Sequence, residues 1–153
     1  AYHTIMQNLS YTESYDDVCT LIANIKTSDL PYDKVDVSKI MTAIEVISKL
    51  KANAVSIKKE QQFVMKVNYS QVVAGGENVN VLVQGVIDLV VENKDSAIIV
   101  DFKTNKTHSE KALKDSYSLQ LKLYANAYEK ATKMKVSKMY LYSFEMGKLI
   151  EIK

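Results

Sequence analysis

One stretch, Val81 to Asn105 (VLVQGVIDLVVENKDSAIIVDFKTN), limits what this chain can fold into more than any other. It reads as two adjacent strands turned at Asn93-Lys94-Asp95-Ser96, each an apolar run with one carboxylate set into it. Asp88 interrupts Gly85-Val86-Ile87 and Leu89-Val90-Val91, and Asp101 follows Ala97-Ile98-Ile99-Val100. Side chains alternate across a strand, so Asp101 and Lys103 share one face while Val100 and Phe102 take the other. A charge inside an apolar strand is costly unless something pairs with it. Two acids and a lysine in this arrangement suggest a divalent-metal site beside a cation.

The rest of the chain supplies what such a pair of strands needs as cover. Ala1 to Leu9 reads as a helical segment carrying His3 beside Ile5, Met6 and Leu9; on these residues alone His3 reads as a core or surface histidine. Ser14, with Asp17 three residues on, forms a capping box for a second helix striped by Val18, Leu21, Ile22 and Ile25. Leu30-Pro31-Tyr32-Asp33 breaks it. Asp36 caps a third helix through Val37, Ile40, Met41, Ile44 and Ile47. Ala54 to Ser70 is strand-like, with Glu60 read as a solvent-facing position. The turn at Ala74-Gly75-Gly76-Glu77-Asn78 makes Ala54 to Val91 a meander. Residues 104–114, containing His108, read as a polar lysine-rich connection. A helix is expected from Asp115 to Lys133, with Tyr117, Leu121, Tyr124 and Tyr128 near one stripe and Gln120 one turn from Tyr124. Val136 to Phe144 and Leu149 to Ile152 are the last strands, turned at Gly147.

Composition excludes several classes. The single cysteine, Cys19, rules out an internal disulfide framework, a Cys-rich zinc site and a four-cysteine iron–sulfur cluster, and points to a reducing interior. There is no glycine-rich phosphate loop, hence no ATP site of that kind. No apolar run approaches the roughly 20 residues of a membrane helix. The chain starts Ala1-Tyr2-His3 without an initiator Met, so it is expected to be a single domain, 1–153, excised from a longer chain. A net charge of +2 hides an asymmetry: residues 103–153 hold eleven Lys against five acids. This fits a polyanionic partner, or simply a solvated lysine surface. Every basic residue is Lys, so any phosphate contact uses point charges.

The ordered series Gly85-x-x-Asp88, Asp101-Phe102-Lys103-Thr104 and Tyr117-x-x-Gln120-x-x-x-Tyr124 resembles the RecB-type nucleases of the PD-(D/E)xK superfamily. GVIDLVV, IIVDFKTNK, YSLQLKLYANAYE and KMYLYSF sharpen the resemblance toward the C-terminal nuclease domains of the AddA (RexA) family of helicase–nucleases. The resemblance implies an α/β fold, with a restriction-endonuclease-like core and a central mixed β-sheet flanked by helices. It implies that His3, Asp88, Asp101 and the Phe102 carbonyl ligate a metal, that Asp88, Asp101 and Lys103 are catalytic, and that Gln120 and Tyr124 meet DNA. Glu60, in Glu-x-x-Phe, is a possible accessory residue. The second acid is Asp where much of the superfamily has Glu. The implied cofactor is Mg²⁺, with Mn²⁺ a substitute. The implied partners are DNA single strands, the rest of a helicase chain and a second AddB/RexB-like subunit, in the bacterial cytoplasm. The alternative is an inactive DNA-binding or subunit-interaction domain of the same fold.

Overall fold

The computed structural model describes residues 1–25, 35–72 and 74–153. Five helices and five strands follow in the order α1 (Tyr2–Gln7), α2 (Tyr15–Ile25), α3 (Val37–Leu50), β1 (Ser56–Asn68), α4 (Tyr69–Val72), β2 (Asn80–Glu92), β3 (Ser96–Lys103), α5 (Glu110–Thr132), β4 (Lys135–Ser143) and β5 (Lys148–Ile152). The expected break at Leu30-Pro31-Tyr32-Asp33 lies outside the described residues.

The local signals act as the sequence suggests. Ser14 and Asp17 exchange backbone-to-side-chain hydrogen bonds of 3.0 and 3.2 Å, closing a capping box on α2. Asp36 accepts the Ser38 N–H at 2.9 Å and starts α3. The helix expected from Asp115 instead begins at Glu110, because Ser109 caps it through the Ala112 N–H. Glu110 sits in the first turn, and Lys111 pairs with Asp115 one turn on. The lysines that make 110–114 look like a loop are the solvated face of the helix's first turn. The four-residue α4 has no counterpart in the sequence pattern.

The strands form one sheet in the order β1-β2-β3-β4-β5. Only β3 and β4 are parallel, and α5 is the crossover that such a pair requires. The helices α1 to α3 cover one face, packing Ile5, Met6, Leu9, Val18, Ile40, Ala43 and Ile47 onto Leu89, Val91, Val100, Phe102 and Tyr142. Helix α5 covers the other, setting Leu113, Leu121, Ala125 and Tyr128 onto Ile87, Val90, Ile99, Leu141 and Ile150. The expected α/β architecture, a mixed sheet between helices, is the one observed.

One irregularity in this sheet positions everything that follows. Leu89 and Val91 face the α1–α3 layer, so strict alternation would place Ile87 with them, yet Ile87 lies with Val90 on the α5 side. Strand β1 turns over at the same level: Ile57 packs with the α1–α3 layer, whereas Phe63, Met65 and Val67 lie toward α5. The ladder pairs Lys59 with Leu89 and Gln61 with Ile87, but the rung between them, Glu60 opposite Asp88, is not paired. Glu60 there takes φ 50°, a left-handed conformation that costs a non-glycine residue energy. The sheet therefore changes face at the level of Asp88.

Candidate active site

The ladder between β2 and β3 ends at Leu89 opposite Val100. Its next rung would have set Asp88 against Asp101. Instead the strands part, and the Asp88 carboxylate accepts the Phe102 N–H at 2.8 Å, replacing the lost ladder bond. Strand β3 continues beside β4 to Lys103, so Asp101 stays on a rigid element. Its face is the α5 face, as the pleat requires: Val100 and Phe102 pack the other way. Lys103 Nζ lies 2.8 Å from Asp101 Oδ2, and 3.8 Å from the centre of the Tyr117 ring on α5. The lysine's charge is thus held by a carboxylate and an aromatic face together. Nothing in the sequence marks Tyr117 for this contact except its place seven residues before Tyr124.

His3 comes from the opposite layer. Its Nε2 lies 2.9 Å from the Phe102 carbonyl oxygen and 3.4 Å from Asp88 Oδ2. A six-residue helix would not hold a side chain this well alone. Helix α1 is pinned by buried Ile5 and Met6, by Tyr2 stacked on Phe144 at 4.7 Å, and by the Lys59 ammonium donating to the Leu9 carbonyl. Tyr11, fully buried, donates its hydroxyl to the Met6 carbonyl and lies beneath Lys59.

The two acids are driven apart in acidity. Burial, then the neighbouring Asp88 charge, pushes Asp101 up to about 7, with Lys103 opposing. Burial also acts to raise Asp88, but hydrogen bonds from His3, from Asp101 and from the Phe102 N–H outweigh it and lower the group. The pair thus shares a hydrogen bond whose proton resides on Asp101. The Asp88 carboxylate in turn raises His3 against the effect of its burial. Glu60, expected to face solvent, is instead half-buried, and burial and Asp88 both raise it. The left-handed turn at Glu60 explains the difference, since no strand pattern foretells it.

On α5, Tyr124 packs edge-on to Phe63 with ring centres 4.9 Å apart. Its hydroxyl lies 2.9 Å from where a Cβ on Gly85 would stand, so the glycine of Gly85-x-x-Asp88 admits this tyrosine. The Asp101 and Asp88 charges, after burial, raise the Tyr124 hydroxyl, which places it within their field. Gln120 is exposed one turn earlier and makes no hydrogen bond to the acids among the described residues.

A family model described as the PD-(D/E)XK nuclease superfamily matches residues 2–151. The chain belongs to the PD-(D/E)XK nuclease superfamily. It is also similar along nearly all its length to part of several bacterial proteins named as ATP-dependent helicase/nuclease subunits. Identity is 28% over 169 residues with that of Listeria welshimeri, covering 99% of this chain and 14% of the relative. With that of Clostridium novyi it is 29% over 167 residues, covering 100% and 14%. With that of Ligilactobacillus salivarius it is 30% over 161 residues, covering 98% and 13%. The chain thus spans about one-seventh of the length of these relatives.

The residues the sequence singles out are brought together as follows. His3, Asp88, Asp101, Lys103 and the Phe102 carbonyl meet where β2 leaves β3; Glu60 faces the same point from β1; Tyr124 borders it from α5. The donor set is two carboxylates, a carbonyl and one imidazole, which suits a hard divalent cation with room for water. Among the described residues no three His, Cys, Asp or Glu side chains stand in a ready coordination shell, because the cluster is closed by its own hydrogen bonds. Two buried carboxyl groups that can ionise together only against their mutual repulsion are nonetheless suited to a cation.

Proposed function

We propose that this chain is the nuclease domain of an AddA-type helicase–nuclease and hydrolyses DNA phosphodiesters with a divalent cation, Mg²⁺ by preference and Mn²⁺ as substitute. The observation that carries the reading is the parting of β2 from β3, which opens two acids, a carbonyl and a lysine toward one point. Asp88, Asp101, His3 and the Phe102 carbonyl would hold the ion. When bound, the cation supplies Lewis-acid polarisation of the phosphate and a more acidic water.

The chain's own residues do the rest. Asp101 gives up its proton to become a ligand, and Lys103, held by Asp101 and Tyr117, keeps a positive charge beside the phosphate or the attacking oxygen. Asp88 fixes the backbone of Phe102 and so aims the carbonyl. Glu60 is an accessory acid opposite Asp88, placed to accept a proton from a water at the cluster. Gln120 and Tyr124 border the strand's path.

The superfamily membership and the helicase/nuclease relatives support a larger assembly. In it the domain, an exonuclease, receives single strands from the helicase part of its chain and works beside an AddB/RexB-like subunit. It would process double-strand ends for recombinational repair in the bacterial cytoplasm. The eleven lysines after residue 102 supply phosphate contacts whose strength falls steeply with salt. No described helix is long and apolar enough to cross a membrane. The test is cleavage of a linear DNA with Mg²⁺ by the chain and by Lys103→Ala. Loss of cleavage in the variant, with an unchanged melting profile, supports the reading; equal cleavage by both refutes it.

A further inference from the structure

The outer half of the β1–β2 hairpin carries a feature that hydrolysis at the acid pair does not use. Past the unpaired Glu60/Asp88 rung, the row Phe63, Met65, Val67, Val81 and Val83 is turned under α5. The alternate residues Gln62, Val64, Gln84 and Val86 therefore face away from it, and register sets Gln62 opposite Val86 and Val64 opposite Gln84. Together with Phe63 and Gly85 they line a cavity of about 520 Å³. That is the size of a small-molecule site. Val64 is 67% exposed and, further out on the same row, Leu82 is 75% exposed.

We propose that this cavity is a nucleoside subsite, holding the base and deoxyribose next to the phosphate that lies at Asp88 and Asp101. The proposal rests on the nuclease reading above and extends it.

Continuity supports it first. Gln62 and Val86 stand two residues along their strands from Glu60 and Asp88, about 7 Å at the rise of a strand. A single strand whose phosphate sits at the acid pair must send a neighbouring nucleoside one way or the other, and the hairpin provides a walled cavity in one of those directions. The chemistry of the lining supports it next. The walls are apolar side chains suited to the faces of a base, and each glutamine offers both donors and an acceptor to a base edge. Glutamine can turn its amide to suit different bases, so the subsite tolerates sequence. Charge agrees. No acid lines the cavity, and Lys66, exposed and next on the same row after Val64, stands ready for the following phosphate. The occupant is single-stranded DNA, because a duplex keeps its base edges paired.

The test uses the 153-residue chain, a single-stranded oligonucleotide carrying one 4-thiothymidine, and Ca²⁺ in place of Mg²⁺. Irradiation followed by peptide mapping is expected to place crosslinks within residues 62–64 and 84–86. Val64→Glu, at an exposed position, is expected to weaken oligonucleotide binding at least tenfold while Mn²⁺ binding at the acid pair stays as in the unaltered chain. Crosslinks confined to α5 or to residues 104–109 would overturn the subsite, as would unchanged affinity in Val64→Glu. If Val64→Glu weakens binding but the crosslinks fall elsewhere, the hairpin face serves a protein segment rather than DNA, and the proposal also fails. Loss of Mn²⁺ binding in the unaltered chain would instead count against the nuclease reading itself.

Discussion

The two halves of the β1–β2 hairpin are built from the same strands in one unbroken register, yet they live in different surroundings. In the inner half Leu89, Val90 and Val91 are wholly buried between the helical layers. In the outer half only the α5 side is covered, and Val64 and Leu82 stand mostly in solvent. The boundary between them is the Glu60/Asp88 rung. A site placed deeper would bury both acids beyond the reach of a phosphate; a site placed further out would leave them fully hydrated, with nothing to raise Asp101. The acids lie where the sheet passes from closed to open, and the change of face at Glu60 marks that place.

The largest contrast between the two regions is in activity. Asp88→Ala, at the boundary, is expected to lower nuclease turnover by roughly 1000-fold or more, since it removes a ligand and the acceptor of the Phe102 N–H together. Leu82→Gln, at the open end, is expected to leave turnover at the acid pair within a factor of about two, as befits an exposed residue outside the cavity lining. Initial rates on a short linear substrate with Mg²⁺ decide this, and similar rates for the two variants would dissolve the distinction.

Stability should separate the halves next. Leu89→Ala removes a side chain with no solvent exposure and is expected to cost about 2–5 kcal/mol. Leu82→Ala is expected to cost about 0.5 kcal/mol or less. Urea melts with a common slope measure both; a loss at Leu82 comparable with that at Leu89 would show that the outer face is covered. Between these lies Gly85→Ala, whose methyl would meet the Tyr124 hydroxyl at 2.9 Å and Phe63 at 3.1 Å. A cost of about 1–3 kcal/mol is expected, with a fall in activity as Tyr124 moves.

The smallest effect is in pH dependence. Because Asp101 is pushed up to about 7, the folded protein holds that proton more tightly than the unfolded chain does. This contribution is complete below about pH 4 and is lost as the pH rises through about 7. Asp88, which is lowered, acts in the opposite sense, adding stability above its ordinary range that is lost in acid. Thermal melts in chelator should therefore decline from about pH 5 to about pH 8, and Asp101→Asn should flatten that decline. A decline of the same size in the variant would place its origin elsewhere.

Much of this is legible in the sequence for physical reasons. Asp101 and Lys103 follow from alternation in a strand whose neighbours Val100 and Phe102 are apolar. The caps at Ser14 and Asp36 follow from the chemistry of side-chain acceptors at helix starts. The start of α5 is harder to read, because lysine content describes solvation, not backbone conformation, while the decisive signal, Ser109 before Glu110, is short. Glu60 escapes the pattern for a deeper reason. An alternating pattern assumes an uninterrupted pleat, and here the pleat turns over at one rung to bring Asp88, from one strand, beside Asp101, from another. The Lys103–Tyr117 and Gly85–Tyr124 contacts depend on how α5 lies across the sheet, which no local pattern records.

The central claim is that His3, Asp88, Asp101 and the Phe102 carbonyl form one divalent-cation site. Calorimetric titration of the chain with Mn²⁺ near pH 7, in two buffers of different ionisation enthalpy, tests it most directly. The expected result is one ion per chain, a heat that depends on the buffer because Asp101 releases its proton, weaker binding in His3→Ala, and no binding in Asp88→Ala or Asp101→Asn. Binding by either acid variant as tight as that of the unaltered chain, or no ion bound by the unaltered chain at all, would contradict it.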